Sequence, residues 1–336
     1  MAIILRESLF RRLVRKVTPS GLKNTLGKYR HRKLVKELKK KGAYNSAFPD
    51  ALNLSLSVLC QGGCIYCPNG RGKDIKPPFM SFELAKKIID EAGKENFKGI
   101  FRFSENGEGL LNKEFLKIYE YCRKTLPLSK SILYTNMALL NKEIGLKLLT
   151  LGLDELHLNV DGASKITYES TKKLNFETLK KNLHDFIDTR QRMEKPCKIH
   201  IWILTAKKYF EKVEGINISL PDDTSKVIEY WEPFLKENDI FSIVDRPYRW
   251  AQLERIKTPK TNPCGKFSKV VRECLIGPNG DIYLCCLDYQ QKCVIGNIAD
   301  TSIKKIWNID RRRDLLNLLE MGRFDIIGEP CKFCLD

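Results

Sequence analysis

The chain has 336 residues, of which 43% are hydrophobic and 30% are charged, a composition typical of a soluble globular protein. No uninterrupted apolar run is long enough to cross a bilayer, and the N-terminus lacks the apolar block and small-residue cleavage site of a secretory signal. These properties argue against a membrane-spanning or secreted chain. We expect a cytoplasmic protein with one large domain and one smaller domain.

The formal net charge of +18 is concentrated at the N-terminus. Residues 1–42 hold 14 Lys and Arg against two Glu, and so contribute +12 of that charge. Apolar residues at helical spacing predict a basic amphipathic helix over Leu9–Val17 and a second basic helix over Tyr29–Lys41. Two interpretations stay open: peripheral contact with an anionic membrane through residues 1–42, or a helical extension that packs on the body with a solvated basic face.

From about residue 51, strand and helix signals alternate along the chain. Repeated β–α units imply a parallel sheet, and six of them predict an α/β fold arranged as a partial (β/α)6 TIM-type barrel. Polar residues share one face of several strands, such as His157 with Asn159 and His200 with Trp202, which predicts a polar lumen. The predicted strands are Leu52–Val58, Gly99–Phe103, Ser131–Tyr134, Leu156–Val160, Ile199–Leu204 and Ile240–Val244, and the predicted helices are Ser81–Lys94, Lys113–Lys124, Lys142–Leu151, Asn175–Arg190 and Ser225–Glu237.

Beyond residue 260 the β–α rhythm stops. The segments Val270–Ile276 and Asp281–Cys285 flank a Gly-Pro-Asn-Gly turn, which is a hairpin signal, and a helix is predicted from Ser302 to Met321. We therefore divide the chain into three parts. They are a basic helical N-terminal extension (1–50), the partial barrel (51–255) and a small C-terminal domain made of a β-hairpin plus a helix (256–336).

Seven of the twelve cysteines fall into two spaced sets. Without a secretion signal, such spacing points to metal ligation before disulfides. Cys60, Cys64 and Cys67 directly follow the first predicted strand, where three thiolates on one loop can hold three irons of a [4Fe–4S] cluster and leave the fourth iron open. A partial zinc site and three buried thiols are the alternatives. Structural zinc, however, usually takes four protein ligands, and no fourth lies nearby.

The CxxxCxxC loop, with Tyr66 before its last cysteine, resembles the signature of the radical S-adenosylmethionine (SAM) superfamily. Gly107-Glu108 resembles the family's Gly-Glu-Pro motif, which holds the SAM amino group, although Gly109 replaces the proline. Thr135-Asn136-Met137 resembles its Thr-Asn-Gly turn, and Asn159-Val160-Asp161-Gly162 resembles the Ser-x-Asp-Gly motif near the SAM ribose. The residues to which this resemblance assigns SAM binding are Tyr66, Gly107, Glu108, Asn136, Asn159 and Asp161.

The C-terminal cysteines resemble those of the SPASM/Twitch domains, which bind auxiliary iron–sulfur clusters. Cys264 is followed by Gly280, then Cys285, and a closing Cys-Lys-Phe-Cys. The full SPASM pattern has further cysteines, so the shorter Twitch form with one auxiliary [4Fe–4S] cluster is expected. Four thiolates also suit structural zinc. Cys286, beside a ligand, is a candidate substitute ligand or hydrogen-atom donor. The resemblance implies four ligands: Cys264, Cys285, Cys331 and Cys334.

The resemblance also implies an oxidoreductase-type enzyme. Its SAM-binding [4Fe–4S] cluster would cleave SAM reductively to a 5′-deoxyadenosyl radical, which removes hydrogen from a polar substrate. A sugar, an aminocyclitol or a peptide is expected, with net oxidation favoured and epimerisation or peptide maturation as alternatives. Asp245 is a candidate proton acceptor and Arg246 or Arg249 a candidate anion holder, unless they form a surface ion pair. His157 and His200 are candidate lumen contacts or structural histidines.

Partners follow from this chemistry. Cleavage of SAM needs an electron, so a reducing partner such as flavodoxin or ferredoxin is expected. A nucleic-acid modifier is disfavoured, because no basic patch interleaved with stacking aromatic residues lies outside the N-terminal region. A non-catalytic, zinc-stabilised interaction protein would leave the motifs at the strand ends unexplained.

Overall fold

The computed structural model describes most of the chain, with the backbone alone for Arg6 and residues 20–24. The predicted helix Leu9–Val17 and the candidate residues Asp245, Arg246 and Arg249 lie outside the described residues. The division of the chain into three parts stays a prediction. The described ranges are 2–6, 20–68, 76–104, 106–204, 223–244 and 259–334.

Six parallel strands form the centre of the sheet in their predicted order, which confirms the partial barrel. The first strand is shorter than predicted, because residues 56–58 pair with another segment: Met80 N–H donates to Leu56 O and Val58 N–H to Pro78 O. The strands are β2 (Ala51–Leu54), β3 (Ile100–Phe103), β4 (Lys130–Tyr134), β5 (Glu155–Asn159), β6 (Lys198–Leu204) and β7 (Ile240–Val244).

Four further strands extend this sheet at both edges, so that ten strands are hydrogen-bonded in the described part of the chain. β1 (Ile3–Arg6) pairs in parallel with β7, in a region predicted to hold only helices. At the other edge, β8 (Glu273–Ile276) pairs in parallel with β2, and β9 (Asp281–Tyr283) and β10 (Val294–Asn297) follow in antiparallel order. The predicted hairpin is thus an extension of the barrel sheet.

Helices cover the apolar face of the strands. The first of them has the predicted N-cap, since the Ser81 side chain accepts a hydrogen bond from Leu84 N–H, and its Ala85, Ile88 and Ala92 are fully buried at helical spacing. No helix of the described chain is long and apolar enough to cross a membrane. The helices beside the barrel strands are α2 (Phe82–Lys94), α3 (Phe115–Thr125), α4 (Lys142–Thr150), α5 (Lys165–Lys172), α6 (Phe176–Arg192) and α7 (Thr224–Trp231).

The C-terminal region differs from the prediction in two elements. Residues 270–272, predicted as strand, belong to a helix, α8 (Phe267–Arg272). The single predicted helix over Ser302–Met321 is two helices, α9 (Ile303–Trp307) and α10 (Asp310–Met321). Asn308 interrupts them, because its side-chain amide donates to Lys304 O and Ala47 O. A short helix, α11 (Phe324–Ile327), precedes the final cysteines.

The second basic helix, α1 (Ser20–Lys40), is confirmed and packs on the C-terminal region. Its buried residues include His31, whose ring meets the Phe267 ring edge-on with centroids 4.9 Å apart. Lys39 forms an ion pair with Glu320 at 2.8 Å. One face of this helix therefore packs on the body of the protein, as the second interpretation of the N-terminal region predicts. The basic face is exposed.

Candidate active site

The cysteine triplet lies on one loop after β2, and α5 fixes that loop. Gly63 N–H donates to Lys172 O and Ile65 N–H to Thr171 O, at 3.1 Å each. The loop passes close to this helix end, since a Cβ on Gly63 would lie 3.2 Å from the Lys173 side chain. A larger residue at this position would therefore require the Lys173 side chain to shift by a few tenths of an ångström. Sequence reasoning missed α5 although Ser164 and Thr167 form a capping box at its start.

All three thiols of the triplet are free and partly exposed, a donor set that fits an iron–sulfur cluster. Cys60 Sγ accepts hydrogen bonds from Gly62 N–H at 3.4 Å and from Asn136 Nδ2 at 3.5 Å. Burial raises the pKa of the Cys60 thiol. In the described ranges, no three His, Cys, Asp or Glu side chains are grouped tightly enough to hold a single metal ion. Ligation by Cys60, Cys64 and Cys67 therefore stays a prediction.

The structure brings the second and third motifs into direct contact. Glu108 is 1% exposed, and its Oε2 accepts hydrogen bonds from Asn136 N–H at 2.8 Å and from Thr135 Oγ1 at 3.2 Å. Burial raises the pKa of Glu108 to about 7, against the opposing effect of these hydrogen bonds. A buried carboxylate at this place is suited to an ammonium ligand, because a cation would restore its ionised form.

Two backbone positions at this junction have φ in the left-handed region. Gly107 has φ +76°, and a Cβ there would lie 2.4 Å from Ser57 O, so only glycine fits. Met137 has φ +69° although it is fully buried and not glycine. This conformation explains why the related motif has glycine at that position. It also shows that the present chain keeps the turn at a cost in backbone strain.

The fourth motif joins the cysteine loop through a buried polar cluster that sequence reasoning did not anticipate. Asp161 accepts a hydrogen bond from the Tyr66 hydroxyl, and the Lys172 ammonium donates to the same hydroxyl at 2.9 Å. Lys172 Nζ also lies 3.5 Å from Asp161 Oδ2. Burial would lower the pKa of Lys172, but electrostatic interactions with Cys64, Tyr66 and Asp161 raise it well above its ordinary value. Asn159 ends β5, opposite Trp202 in the register of β6.

The four C-terminal cysteines line a single cavity whose wall is mostly apolar, with Leu284, Leu287 and Phe324, and also contains Lys260 and Lys266. This donor set fits the auxiliary cluster, although its ligation stays a prediction. A hydrogen bond with Cys286, together with burial, raises the pKa of Cys285 well above its ordinary value. Burial raises the pKa of Cys331, and the nearby buried thiol Cys293 raises it further. Sequence reasoning did not assign a role to Cys293. The cysteines that line the cavity are Cys264, Cys285, Cys331 and Cys334.

The polar faces of the strands meet across the sheet on one side, as predicted for a lumen. Arg102 of β3 donates to Asn53 Oδ1 at 3.0 Å and forms an ion pair with Glu273 of β8 at 3.1 Å. Tyr283 of β9 reaches the same interior, where Asn106 Nδ2 donates to its hydroxyl at 2.8 Å and Ser55 Oγ lies 3.3 Å away. The C-terminal region therefore contributes side chains to the lumen.

Comparison with known families agrees with this arrangement. The family model described as the radical SAM superfamily matches residues 54–205. A second model, described as an iron–sulfur cluster-binding (SPASM) domain, matches residues 264–335. Residues 54–205 are thus a radical SAM domain and residues 264–335 a SPASM domain, which makes the chain a radical SAM enzyme. Iron–sulfur clusters and SAM are accordingly the cofactors of this radical SAM enzyme, and its type is that of an oxidoreductase.

Among curated proteins, this radical SAM enzyme is similar to the S-adenosyl-L-methionine-dependent 2-deoxy-scyllo-inosamine dehydrogenase of Niallia circulans. The two are 21% identical over 290 residues, which cover 84% of this chain and 91% of the relative.

Solved structures with the same fold include BtrN in complex with AdoMet and 2-DOIA, with a TM-score of 0.58, 17% identity and coverage of 86% of this chain and 94% of BtrN. Native anSMEcpe with bound AdoMet has a TM-score of 0.57, 16% identity and coverage of 80% and 83%. Streptococcus suis SuiB has a TM-score of 0.52, 16% identity and coverage of 83% and 69%. At these identities the likeness shows the fold alone.

Proposed function

We propose that this radical SAM enzyme oxidises a polar substrate held in the barrel lumen, a sugar or aminocyclitol in the first place and a peptide as the alternative. One observation carries the proposal. The residues of the SAM motifs and the polar lumen lie on the same sheet, at the ends and on the inner face of β2 to β6. The dehydrogenase of Niallia circulans, which matches over most of both chains, supports an aminocyclitol-like alcohol. Peptide-bound structures of anSMEcpe and SuiB support the alternative.

The residues have separate roles in this proposal. Cys60, Cys64 and Cys67 hold the SAM-binding cluster, and the buried Glu108 binds the SAM amino group. Bound together, cluster and SAM supply a 5′-deoxyadenosyl radical for hydrogen abstraction. The remaining residues of the motifs orient SAM: Gly107 by its backbone, and Tyr66, Asn136, Asn159 and Asp161 by their side chains.

The C-terminal cavity has an electron-transfer role in the proposal. Four thiols in a mostly apolar wall suit a second [4Fe–4S] cluster, and four protein ligands leave no open iron for a substrate. Cys286 is hydrogen-bonded to Cys285 and remains a candidate substitute ligand or hydrogen-atom donor. Asp245 as proton acceptor and Arg246 as anion holder remain proposals from the sequence.

Iron counting after anaerobic reconstitution tests the proposal. We expect about eight irons per chain, and formation of 5′-deoxyadenosine under dithionite when substrate is supplied. Replacing Cys264 and Cys285 by Ser should remove about four irons and keep the SAM-binding cluster. The matched control is Cys197→Ser, because this buried thiol lies on neither site. About four irons plus one zinc would make the C-terminal site structural. No iron at the triplet would contradict the proposal.

We also propose that the basic N-terminal region is a docking element. Lys33, Lys36 and Lys40 are exposed on α1, while the opposite face packs on the C-terminal region. Their charge suits an acidic reducing partner such as flavodoxin or ferredoxin, or the anionic surface of a membrane reached through residues 1–42. The triple variant Lys33→Glu, Lys36→Glu, Lys40→Glu, which keeps β1 and α1, should lose salt-dependent flavodoxin binding or sedimentation with anionic liposomes. Retention of both would contradict a docking role.

A further inference from the structure

Four rings form a continuous wall on the inner face of the sheet, one from each of two neighbouring strands and two from the third. The Tyr134 and His157 ring centroids are 4.7 Å apart, those of His157 and His200 are also 4.7 Å apart, and those of His200 and Trp202 are 4.3 Å apart with the rings stacked. Tyr134 pairs with His157, and His157 with His200, in the strand register. The wall is therefore positioned by regular strands and not by loops.

A carboxylate orients the central imidazole of this wall. His157 Nε2 lies 2.9 Å from Glu155 Oε2, and Lys130 Nζ lies 2.7 Å from Glu155 Oε1. Burial would raise the pKa of Glu155, but the hydrogen bonds from His157 and Lys130 lower it to about 2. Because an ionised carboxylate only accepts hydrogen bonds, Nε2 carries a proton, and in the neutral imidazole Nδ1 keeps a free lone pair.

That lone pair has no partner in the described structure. His157 Nδ1 is buried without a hydrogen bond, and the His157 side chain is 8% exposed. Trp202 Nε1, on the same wall, is a buried donor that also has no hydrogen-bond partner in the described structure. Unpaired buried polar groups are costly and therefore rare in native proteins, so two of them on one wall suit the binding of a polar ligand. A ligand with one donor and one acceptor would satisfy both atoms.

The wall lies next to a residue that the motifs assign to SAM binding, and a substrate must reach that same place. Trp202 lies opposite Asn159 in the register of β5 and β6, and Asn159 belongs to the fourth SAM motif. His200 donates to or accepts from Ser242 Oγ at 2.7 Å, which closes the far side of the wall on β7. Charged groups around the wall are Glu155, Lys130 and Lys198. The stacked rings offer flat faces for the C–H groups of a saturated ring.

We propose that this wall is the substrate site, that it takes a polyol or aminocyclitol ring with neighbouring hydroxyl or ammonium groups, and that His157 Nδ1 accepts the proton of the reacting hydroxyl. The inference rests on the proposed oxidation. In the step, the carbinol C–H hydrogen atom goes to the 5′-deoxyadenosyl radical, the hydroxyl proton goes to Nδ1, and one electron passes to an iron–sulfur cluster. The C–OH group becomes C=O, and the products are a ketone and 5′-deoxyadenosine.

Binding of ring polyols to the SAM-loaded holoenzyme tests the site without turnover. The probes are 2-deoxy-scyllo-inosamine and scyllo-inositol, measured by calorimetry. His157→Phe keeps a ring and removes both nitrogens, and we expect at least tenfold weaker binding. His184→Phe is the matched control, because His184 lies on α6 beside Tyr230 and away from the lumen, and its binding should stay within twofold of wild type. Circular dichroism checks that both variants fold.

A second pair of variants separates binding from proton transfer. Glu155→Gln removes the charge that orients His157, and should lower kcat for ketone formation at least tenfold with little change in KM. Asp245→Asn should lower kcat less than Glu155→Gln does if His157 is the proton acceptor.

Two binding results would overturn the inference: wild-type enzyme that binds neither probe, or His157→Phe that binds as wild type does. If 5′-deoxyadenosine forms with a peptide and no polyol binds, the proposed oxidation is retained and the proposal of a polyol site is wrong. If no substrate yields 5′-deoxyadenosine, the proposed function itself fails.

Discussion

The Lys172 ammonium is buried beside the cysteine loop, in contact with Tyr66 and Asp161. It is one of two lysines on α5, a helix that sequence reasoning missed, and only the structure shows that it is buried. The charge of a Cys64 thiolate acts on it directly. A buried cation beside a cluster favours the reduced state, since reduction adds a negative charge.

We predict that Lys172→Met shifts the midpoint potential of the SAM-binding cluster to more negative values. A tenfold change in the ratio of reduced to oxidised cluster corresponds to about 59 mV for a one-electron couple. Lys173→Met is the matched control, because that neighbouring lysine is exposed, and it should leave the potential near that of wild type. The measurement is a redox titration followed by electron paramagnetic resonance.

Asp161→Asn removes a negative charge from the same cluster of side chains and should shift the potential in the opposite direction. Opposite signs are the signature of an electrostatic effect. Two shifts of the same sign, or loss of the iron from both variants, would show instead that these residues only support the loop.

Glu108 predicts a pH dependence of SAM binding. Burial raises its pKa to about 7, and the carboxylate must be ionised to hold an ammonium group. Affinity for SAM should therefore be full above pH 7 and fall roughly tenfold per pH unit below it. Calorimetry between pH 5.5 and 8 measures this, with Glu108→Gln as a variant that binds weakly throughout. A flat profile for the wild type would contradict the assignment of Glu108.

At the residue scale, the sequence was informative where motifs have fixed spacing and order. Glu108, Thr135 and Asn136 were assigned from separate motifs, and the structure brings them into contact. Lys172 and the orphaned nitrogen of His157 were not predictable as such. Their burial and partners depend on which strands and helices meet, and a lysine or histidine alone carries no local signal of that.

At the scale of elements, a buried ion pair fastens α6 to the start of β7. Arg190 and Asp239 form two hydrogen bonds of 2.8 Å each, and both side chains are almost completely buried. Asp239 also accepts from the backbone N–H groups of Ile199 and Lys236. This one carboxylate therefore connects a helix, two strands and the turn between α7 and β7.

We predict that Asp239→Ala lowers the free energy of unfolding by about 3–5 kcal/mol, because Arg190 is left as an uncompensated buried charge. The control is Lys181→Ala, which breaks an exposed pair with Asp185 on the same helix and should cost at most about 0.5 kcal/mol. Denaturant unfolding of both variants under identical conditions gives the comparison. Equal costs would mean that the buried pair contributes no more than a surface pair does.

Element predictions succeeded where a strong local period agreed with the tertiary structure. The six barrel strands and their order follow from such periods. Two features do not follow from the local pattern: the helix break at Asn308, and the helical conformation of residues 270–272 at the start of a predicted strand. Contacts with Ala47 and with α10 determine them. β1 was missed for a related reason. Its four residues in a basic segment show no strand period, and they form a strand because they pair with the edge of β7.

At the scale of the whole molecule, the barrel and the C-terminal region share one sheet and one apolar core. Arg102 of β3 forms an ion pair with Glu273 of β8 at 3.1 Å, and Glu91 of α2 accepts from the backbone N–H groups of Ile303 and Lys304. Such contacts leave no separable surface between the two regions in the described chain.

We therefore predict that thermal unfolding of the holoenzyme is a single cooperative transition by calorimetry. Glu91→Ala, which removes the helix cap of α9, should lower the transition temperature without splitting it. Glu83→Ala is the control on the same helix. Two resolved transitions, one of them lost with Cys264→Ser, would contradict the shared core.

The parallel pairing of β2 with β8 has a consequence for engineering and for descent. Ala51 lies opposite Glu273 and Leu54 opposite Ile276, so the strand that carries the cysteine loop depends on a strand from the other end of the chain. A chimera cut at the sequence boundary near residue 256 would expose the hydrogen-bonding edge of β2 in one half and orphan β8 in the other. Exchange of auxiliary domains between relatives must therefore include both β2 and β8. Substitutions in these two paired strands should be inherited together.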